Sequence, residues 1–164
     1  MEYDILKNLQ PYEFFYWFGE ICKIPHGTKN EKRLIEYVVE FAKKRSLSYE
    51  LDKKGNVFMR VPASMGYENQ PAILFQAHLD MVCVKEDDVH LDFVKDSIKL
   101  KIVGNELHAE GTSLGADNAV GVATMLAIAD SSKIKHPKLE MQINPKNLHL
   151  SLWQTTHTSS LITP

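Results

Sequence analysis

From Asn118 to Asp130 the apolar residues Ala119, Val120, Val122, Ala123, Met125, Leu126, Ile128 and Ala129 leave a helix almost no polar face. A helix of that kind has to be buried, and in a chain of this length the natural cover is a sheet. The strand to set against it is Ala72-Ile73-Leu74-Phe75-Gln76-Ala77, a short apolar run bounded by Pro71. It reads as a strand buried on both faces of a mixed or parallel sheet. Upstream, aromatic and apolar residues at helical spacing between Pro11 and Lys23 predict a first helix, with Pro11 suited to its first turn. Pro25 and Gly27 break the pattern into a loop. Between Asn30 and Arg45 the residues Leu34, Ile35, Val38, Val39, Phe41 and Ala42 share one face, which predicts a second helix capped by Asn30. Two hairpins complete the pattern: Ser48 to Leu51 with Asn56 to Val61, and Ile98 to Val103 with Glu106 to Ala109. Strands alternating with helices define an α/β domain.

The end of the chain differs. Residues 141–164 contain no Asp or Glu and show only a weak alternation of Leu148, Leu150 and Leu152, so a poorly ordered tail is expected there and a folded unit over 1–140. With 164 residues, 44% hydrophobic and 24% charged, the chain has the composition of a soluble globular domain. A net charge of -2 gives no reason to expect a nucleic acid or a membrane as partner. Cys22 and Cys83 stand in no redox or zinc spacing, and no apolar run approaches the roughly 20 residues that span a bilayer. A reduced, cytoplasmic location is the expectation.

Two segments could carry chemistry. His78-Leu79-Asp80 follows the apolar strand, and the carboxyl ends of strands in α/β sheets open on ligand crevices. If one ring nitrogen of His78 binds zinc, the other must be held, and Asp80, two residues along an extended chain, lies on the same side to hold it. An isolated His-x-Asp is more often a structural pair, since one local pair does not make a metal site. Asp117 closes a loop containing Gly111 and Gly115 at the head of the apolar helix. Seen alone it is a helix cap; alternatively its two oxygens bridge two divalent ions, with the glycines allowing close backbone approach. His26, His90, His108 and His136 read as surface residues, and His149 and His157 are given no role. Cys83 reads as a small apolar core residue. The 111–115 loop lacks the Lys-Ser/Thr ending of a phosphate-binding loop.

Together the pieces are more specific. Ala77-His78-Leu79-Asp80-Met81-Val82 followed by Gly111-Thr112-Ser113-Leu114-Gly115-Ala116-Asp117-Asn118-Ala119-Val120-Gly121 resembles the cytosolic aminoacyl-histidine dipeptidases of the zinc aminoacylase and carboxypeptidase superfamily. Ile24 to Glu31 and Lys54-Gly55-Asn56-Val57 extend the likeness, which covers about residues 5–140. The resemblance implies an incomplete N-terminal portion of an α/β zinc-peptidase catalytic domain, a mixed sheet flanked by helices. It implies that His78 binds one zinc, that Asp80 orients His78 as part of the catalytic group, and that Asp117 bridges two metals, with cobalt or manganese as substitutes. The substrate would be a dipeptide of the Xaa-His type, and complete members dimerise through a domain not seen here. Such enzymes also use an adjacent glutamate pair after an apolar strand. Here Glu140, read as lying before that strand, is followed by Met141-Gln142-Ile143-Asn144-Pro145-Lys146 with no carboxylate side chain. The chain alone is therefore expected to be inactive; the alternatives are a non-catalytic fragment that binds an intact dipeptidase subunit, or a non-functional product.

Overall fold

The computed structural model describes residues 4–146. After a short 3-10 turn at Asp4–Leu6 come α1 (Tyr12–Lys23), α2 (Lys32–Lys44), β1 (Ser48–Leu51), β2 (Val57–Val61), β3 (Ile73–His78), β4 (Leu100–Val103), β5 (Glu106–Ala109), α3 (Ala116–Asp130) and β6 (Leu139–Asn144). The main sheet runs β1-β2-β6-β3, and β4-β5 forms a separate hairpin. β6 pairs antiparallel with β2 and parallel with β3, so the sheet is mixed, as expected. Among the described residues no helix is long and apolar enough to cross a membrane.

β6 occupies the middle of the sheet and crosses the boundary that composition suggested at residue 140. All six of its residues are buried. Leu139, Met141 and Ile143 enter the apolar core. Of the polar residues between them, Glu140 pairs with Lys138 Nζ at 2.9 Å. Asn144 donates to Asn56 Oδ1 and accepts from Gln76 Nε2, both at 2.9 Å. A central strand tolerates such groups where their polar atoms find partners, as those of Glu140 and Asn144 do here. Glu140 thus lies inside the strand, opposite Arg60 and Leu74, and not ahead of it. The remaining residues of the expected tail, 147–164, lie outside the described residues.

β3 departs from expectation in the other direction. It pairs with β6 and forms the margin of the sheet, which leaves Ile73 and Leu74 43% and 50% exposed, while Ala77 and His78 are buried. Only its final residues have the two-sided burial that its composition predicts. α3 lies on β3 and against α1, and contributes Ala119, Val122, Ala123, Met125 and Leu126 to the core. α2 covers β1 and β2 with Leu34, Val38, Phe41 and Ala42. It begins at Lys32, and its capping position is Glu31, not Asn30. The Glu31 carboxylate accepts from Lys29 N, and Asn30 instead donates to Val94 O. At the far end Arg45 Nε donates to Asp130 Oδ1 at 2.6 Å while its guanidinium lies 3.9 Å from the Phe41 ring centre, so one side chain links α2 to α3.

The β1–β2 turn is built on Asp52. Its Oδ1 accepts from Lys54 N and Asn56 N at 2.8 and 2.9 Å, and its Oδ2 from Asn56 Nδ2 at 2.7 Å, while Gly55 supplies the positive φ of 88°. Partial burial alone would raise the carboxyl; these bonds outweigh it and hold Asp52 below the usual carboxylate value. A carboxyl lowered in the fold stabilises it above the unfolded value near 3.8 and loses that contribution as pH falls towards the folded value. Asp52→Ala should therefore cost roughly 1 kcal/mol at neutral pH, allowing for solvent screening of an exposed turn. The cost should shrink below pH about 4, as urea titrations at both pH values would show.

Candidate metal centre

The last residue of β3 is His78, and the chain continues along the end of β6: Leu79 N donates to Asn144 O at 2.8 Å and Asp80 N to Pro145 O at 2.9 Å. It then meets the loop after α1, where Met81 N donates to His26 O and Thr28 N to Met81 O. The segment carrying His78 and Asp80 is thus held at both edges by backbone bonds. The loop before α3 approaches from the opposite side. Gly115, with φ 75°, sits so close to Met81 that a β-carbon there would lie 2.9 Å from its sulfur. Glycine is required at that contact for both reasons. Gly111, also at positive φ, makes its close approach to Val89 and Glu86 and not to Met81.

Asp117 has extended backbone angles, φ -92° and ψ 102°, and the Asp117-Asn118 peptide is cis. The capping role expected of Asp117 falls to its neighbour: Asn118 Oδ1 accepts from Gly121 N at 3.0 Å. The Asp117 carboxylate is left to reach across to β3.

The three sequence-predicted residues meet. His78 Nδ1 lies 3.1 Å from Asp80 Oδ1 and 3.2 Å from Asp80 O, and His78 Nε2 lies 3.0 Å from Asp117 Oδ1. The His78 and Asp80 side chains are 10% and 14% exposed, whereas that of Asp117 is 88% exposed. Asp80 is the better placed to fix the ring, because its field is the less screened by water. With the proton on Nδ1, a neutral imidazole presents its Nε2 lone pair to the Asp117 carboxylate, acceptor against acceptor. Something positive belongs between them, a proton or a metal ion.

The donor set suits zinc: one imidazole nitrogen and one carboxylate oxygen on the same side, with the second ring nitrogen held by an outer carboxylate. Zinc bonds near 2.0–2.2 Å at a tetrahedral angle set such donors about 3.3 Å apart, so the observed 3.0 Å needs to open by only a few tenths of an ångström. Two donors do not complete a coordination shell, and among the described residues no group of three or more His, Cys, Asp and Glu side chains is arranged around one point.

Thr28 is the residue that the sequence did not single out: its Oγ1 donates to Asp80 Oδ2 at 2.8 Å. The run from Ile24 to Glu31 belonged to the resemblance, which was the available signal, but no chemistry in that run marked a hydroxyl. Two other expectations are corrected. His26 is 2% exposed, not superficial; Nδ1 donates to Ile24 O at 2.6 Å, and burial holds the ring below its ordinary value. Cys83 is exposed, because the segment after Met81 turns outward; Cys22 is the cysteine in the core, where burial pushes its thiol up to about 12. His108 pairs with Glu106 at the surface and His136 bonds Pro137 O, both away from His78. A cleft of about 880 Å³ between the 3-10 turn, the end of α1 and the 90–100 segment is lined by none of the three predicted site residues.

No family model matches the chain. It is 42% identical over 136 residues to the cytosol non-specific dipeptidase of Escherichia coli K12, which accounts for 83% of this chain and 28% of that protein. The crystal structure of an aminoacylhistidine dipeptidase from Vibrio alginolyticus superposes with a TM-score of 0.84 at 38% identity, over 87% of this chain and 29% of the other. A tripeptidase from Staphylococcus aureus and the aminopeptidase PepT from Bacillus cereus share the fold, each with a TM-score of 0.62 over 80% of this chain, at 19% and 22% identity. Most of this chain is therefore similar, in sequence and in fold, to less than a third of the length of two dipeptidases, one a cytosol non-specific dipeptidase and the other an aminoacylhistidine dipeptidase.

Proposed function

We propose that this chain carries part of the metal centre of a dipeptidase, with His78 and Asp117 as metal ligands and Asp80 as the carboxylate that orients His78. The approach of His78 Nε2 to Asp117 Oδ1, with Nδ1 already engaged by Asp80, supports the assignment most directly. The likeness to dipeptidases supports peptide hydrolysis as the reaction and a cytoplasmic location as its setting. A metal pair, zinc by preference, would polarise the scissile carbonyl and acidify the attacking water. In that scheme Asp80 holds the Nδ1 proton of His78, which keeps Nε2 available as a donor throughout. The substrate in this reading is a dipeptide of the Xaa-His type.

The chain alone should turn over no substrate. The general base that the resemblance calls for has no counterpart after Glu140, the last side-chain carboxylate in the sequence, and Glu140 itself is buried against Lys138. A missing base removes about 10²–10⁴-fold in rate. Titration of the purified chain with zinc, or with cobalt followed by its visible absorption, should show binding. His78→Ala should weaken that binding by more than the roughly 10–100-fold typical of losing an outer partner. Binding unaffected by His78→Ala would remove the assignment, and hydrolysis of Ala-His by the unmodified chain, abolished in that variant, would remove the expectation of inactivity.

A further inference from the structure

The geometry points to Thr28 as a positioning residue, one that fixes the Asp80 carboxylate and through it the tautomer and direction of the His78 ring; the inference rests on the metal-centre assignment above only for its consequence in metal affinity. A carboxylate that held a ring through one oxygen at 3.1 Å could still rotate about its own bonds. Here the second oxygen accepts from Thr28 Oγ1 at 2.8 Å, so both ends of the carboxylate are tied to different parts of the chain. The hydroxyl has one proton and two acceptors in reach, Asp80 Oδ2 at 2.8 Å and Met81 O at 3.3 Å. The shorter bond, to an ionised acceptor, is the stronger.

Thr28 is itself placed by backbone. Its N–H donates to Met81 O at 3.1 Å, Gly27 forms a parallel bridge with Met81, and Asn30 N closes the turn on Gly27 O at 2.7 Å. Gly27 lies against Cys83, where a β-carbon would stand 2.3 Å from its Sγ. The loop after α1 and the segment after β3 are thereby joined so that a hydroxyl on one meets a carboxylate on the other.

Asp80 and Asp117 compete for the ring proton of a neutral His78, one at each nitrogen. Asp80 O also faces Nδ1, at 3.2 Å, but as a neutral carbonyl it holds the proton less strongly than a carboxylate. A carboxylate fixed at Nδ1 therefore keeps the proton there, and one turned aside lets Asp117 draw it to Nε2, which removes the lone pair that a metal requires. If Thr28 only knits the loop, its loss lowers stability and leaves the tautomer alone. The two roles are therefore separable by measurement.

The test is nitrogen-15 NMR of the histidine rings in the metal-free chain at about pH 8, together with zinc titration. Thr28→Val keeps the shape and deletes the hydroxyl; Thr28→Ala leaves room for a water in its place; Thr28→Ser restores the donor. The His78 signals of the Val variant should move from the Nδ1–H pattern towards Nε2–H, and its zinc affinity should fall by about 10–100-fold. The Ala variant should fall between, and the Ser variant should return to the parent values. Parent-like His78 signals in both the Val and Ala variants would overturn the proposal, as would failure of Ser to restore them. A shift in tautomer in a chain whose parent binds no zinc would uphold the role of Thr28 and defeat the metal-centre assignment instead.

Discussion

A chain stopped after Glu140 should show no cooperative unfolding transition, and Ile143→Ala in the complete chain should lower stability by about 2–5 kcal/mol. Both outcomes follow from the position of β6. It separates β2 from β3, and its backbone supplies the hydrogen-bond partners of both. Without residues 141–144 two strand edges would carry unpaired N–H and C=O groups next to the core. Ile143 is fully buried, opposite Val57 on one side and Ala77 on the other, both also fully buried. Truncating it leaves a cavity that three strands cannot easily collapse to fill. Total stabilities of domains lie near 5–15 kcal/mol, so this one substitution should bring the urea midpoint down sharply. Circular dichroism against urea is the measurement, and a parent-like midpoint in the chain stopped after Glu140 would show that β6 is not the strand that holds the sheet together.

The same strand shows why sequence patterns reach some parts of the fold and miss others. α1, α2, α3 and both hairpins each signal themselves within their own residues, through a helical stripe or a turn between apolar runs. β6 does not, because Glu140, Gln142 and Asn144 make its alternation look half-exposed. Asn56 and Gln76, which satisfy Asn144, stand 88 and 68 positions away. β3 was misjudged for the complementary reason: apolar composition cannot tell a strand with two neighbours from one with a single neighbour.

At the candidate site, His78 and Asp80 were legible because extended geometry puts alternate side chains together. Asp117 was legible by resemblance, but its capping alternative was open, since Asp117 and Asn118 are both good caps and only the backbone angles decide between them. Thr28 was hidden by distance, 52 positions from Asp80. His26 was hidden because its neighbours in sequence are turn residues, while its burial comes from packing that the loop sequence does not display.

Gly121→Val should damage stability and the candidate metal centre together. Gly121 lies in α3, where a β-carbon would stand 2.3 Å from Asn118 Oδ1, 3.0 Å from Asn118 Cγ and 3.2 Å from Ala77 Cβ. Asn118 would have to swing away and lose its bond to Gly121 N, a capping loss of about 1 kcal/mol. The helix would also be pushed from β3 at Ala77, an overpacking cost of about 1–3 kcal/mol. A gain in helix propensity over glycine offsets well under about 1 kcal/mol of this. The two displaced residues are the immediate neighbours of Asp117 and His78, so the same strain widens the 3.0 Å approach between those side chains. Gly121→Ala, which adds the clashing β-carbon and nothing further, should retain the fold at a lower melting temperature and bind zinc more weakly than the parent at temperatures where both are fully folded. Parent-like zinc affinity in a folded Gly121→Ala chain would mean that the site does not depend on how closely α3 sits on β3.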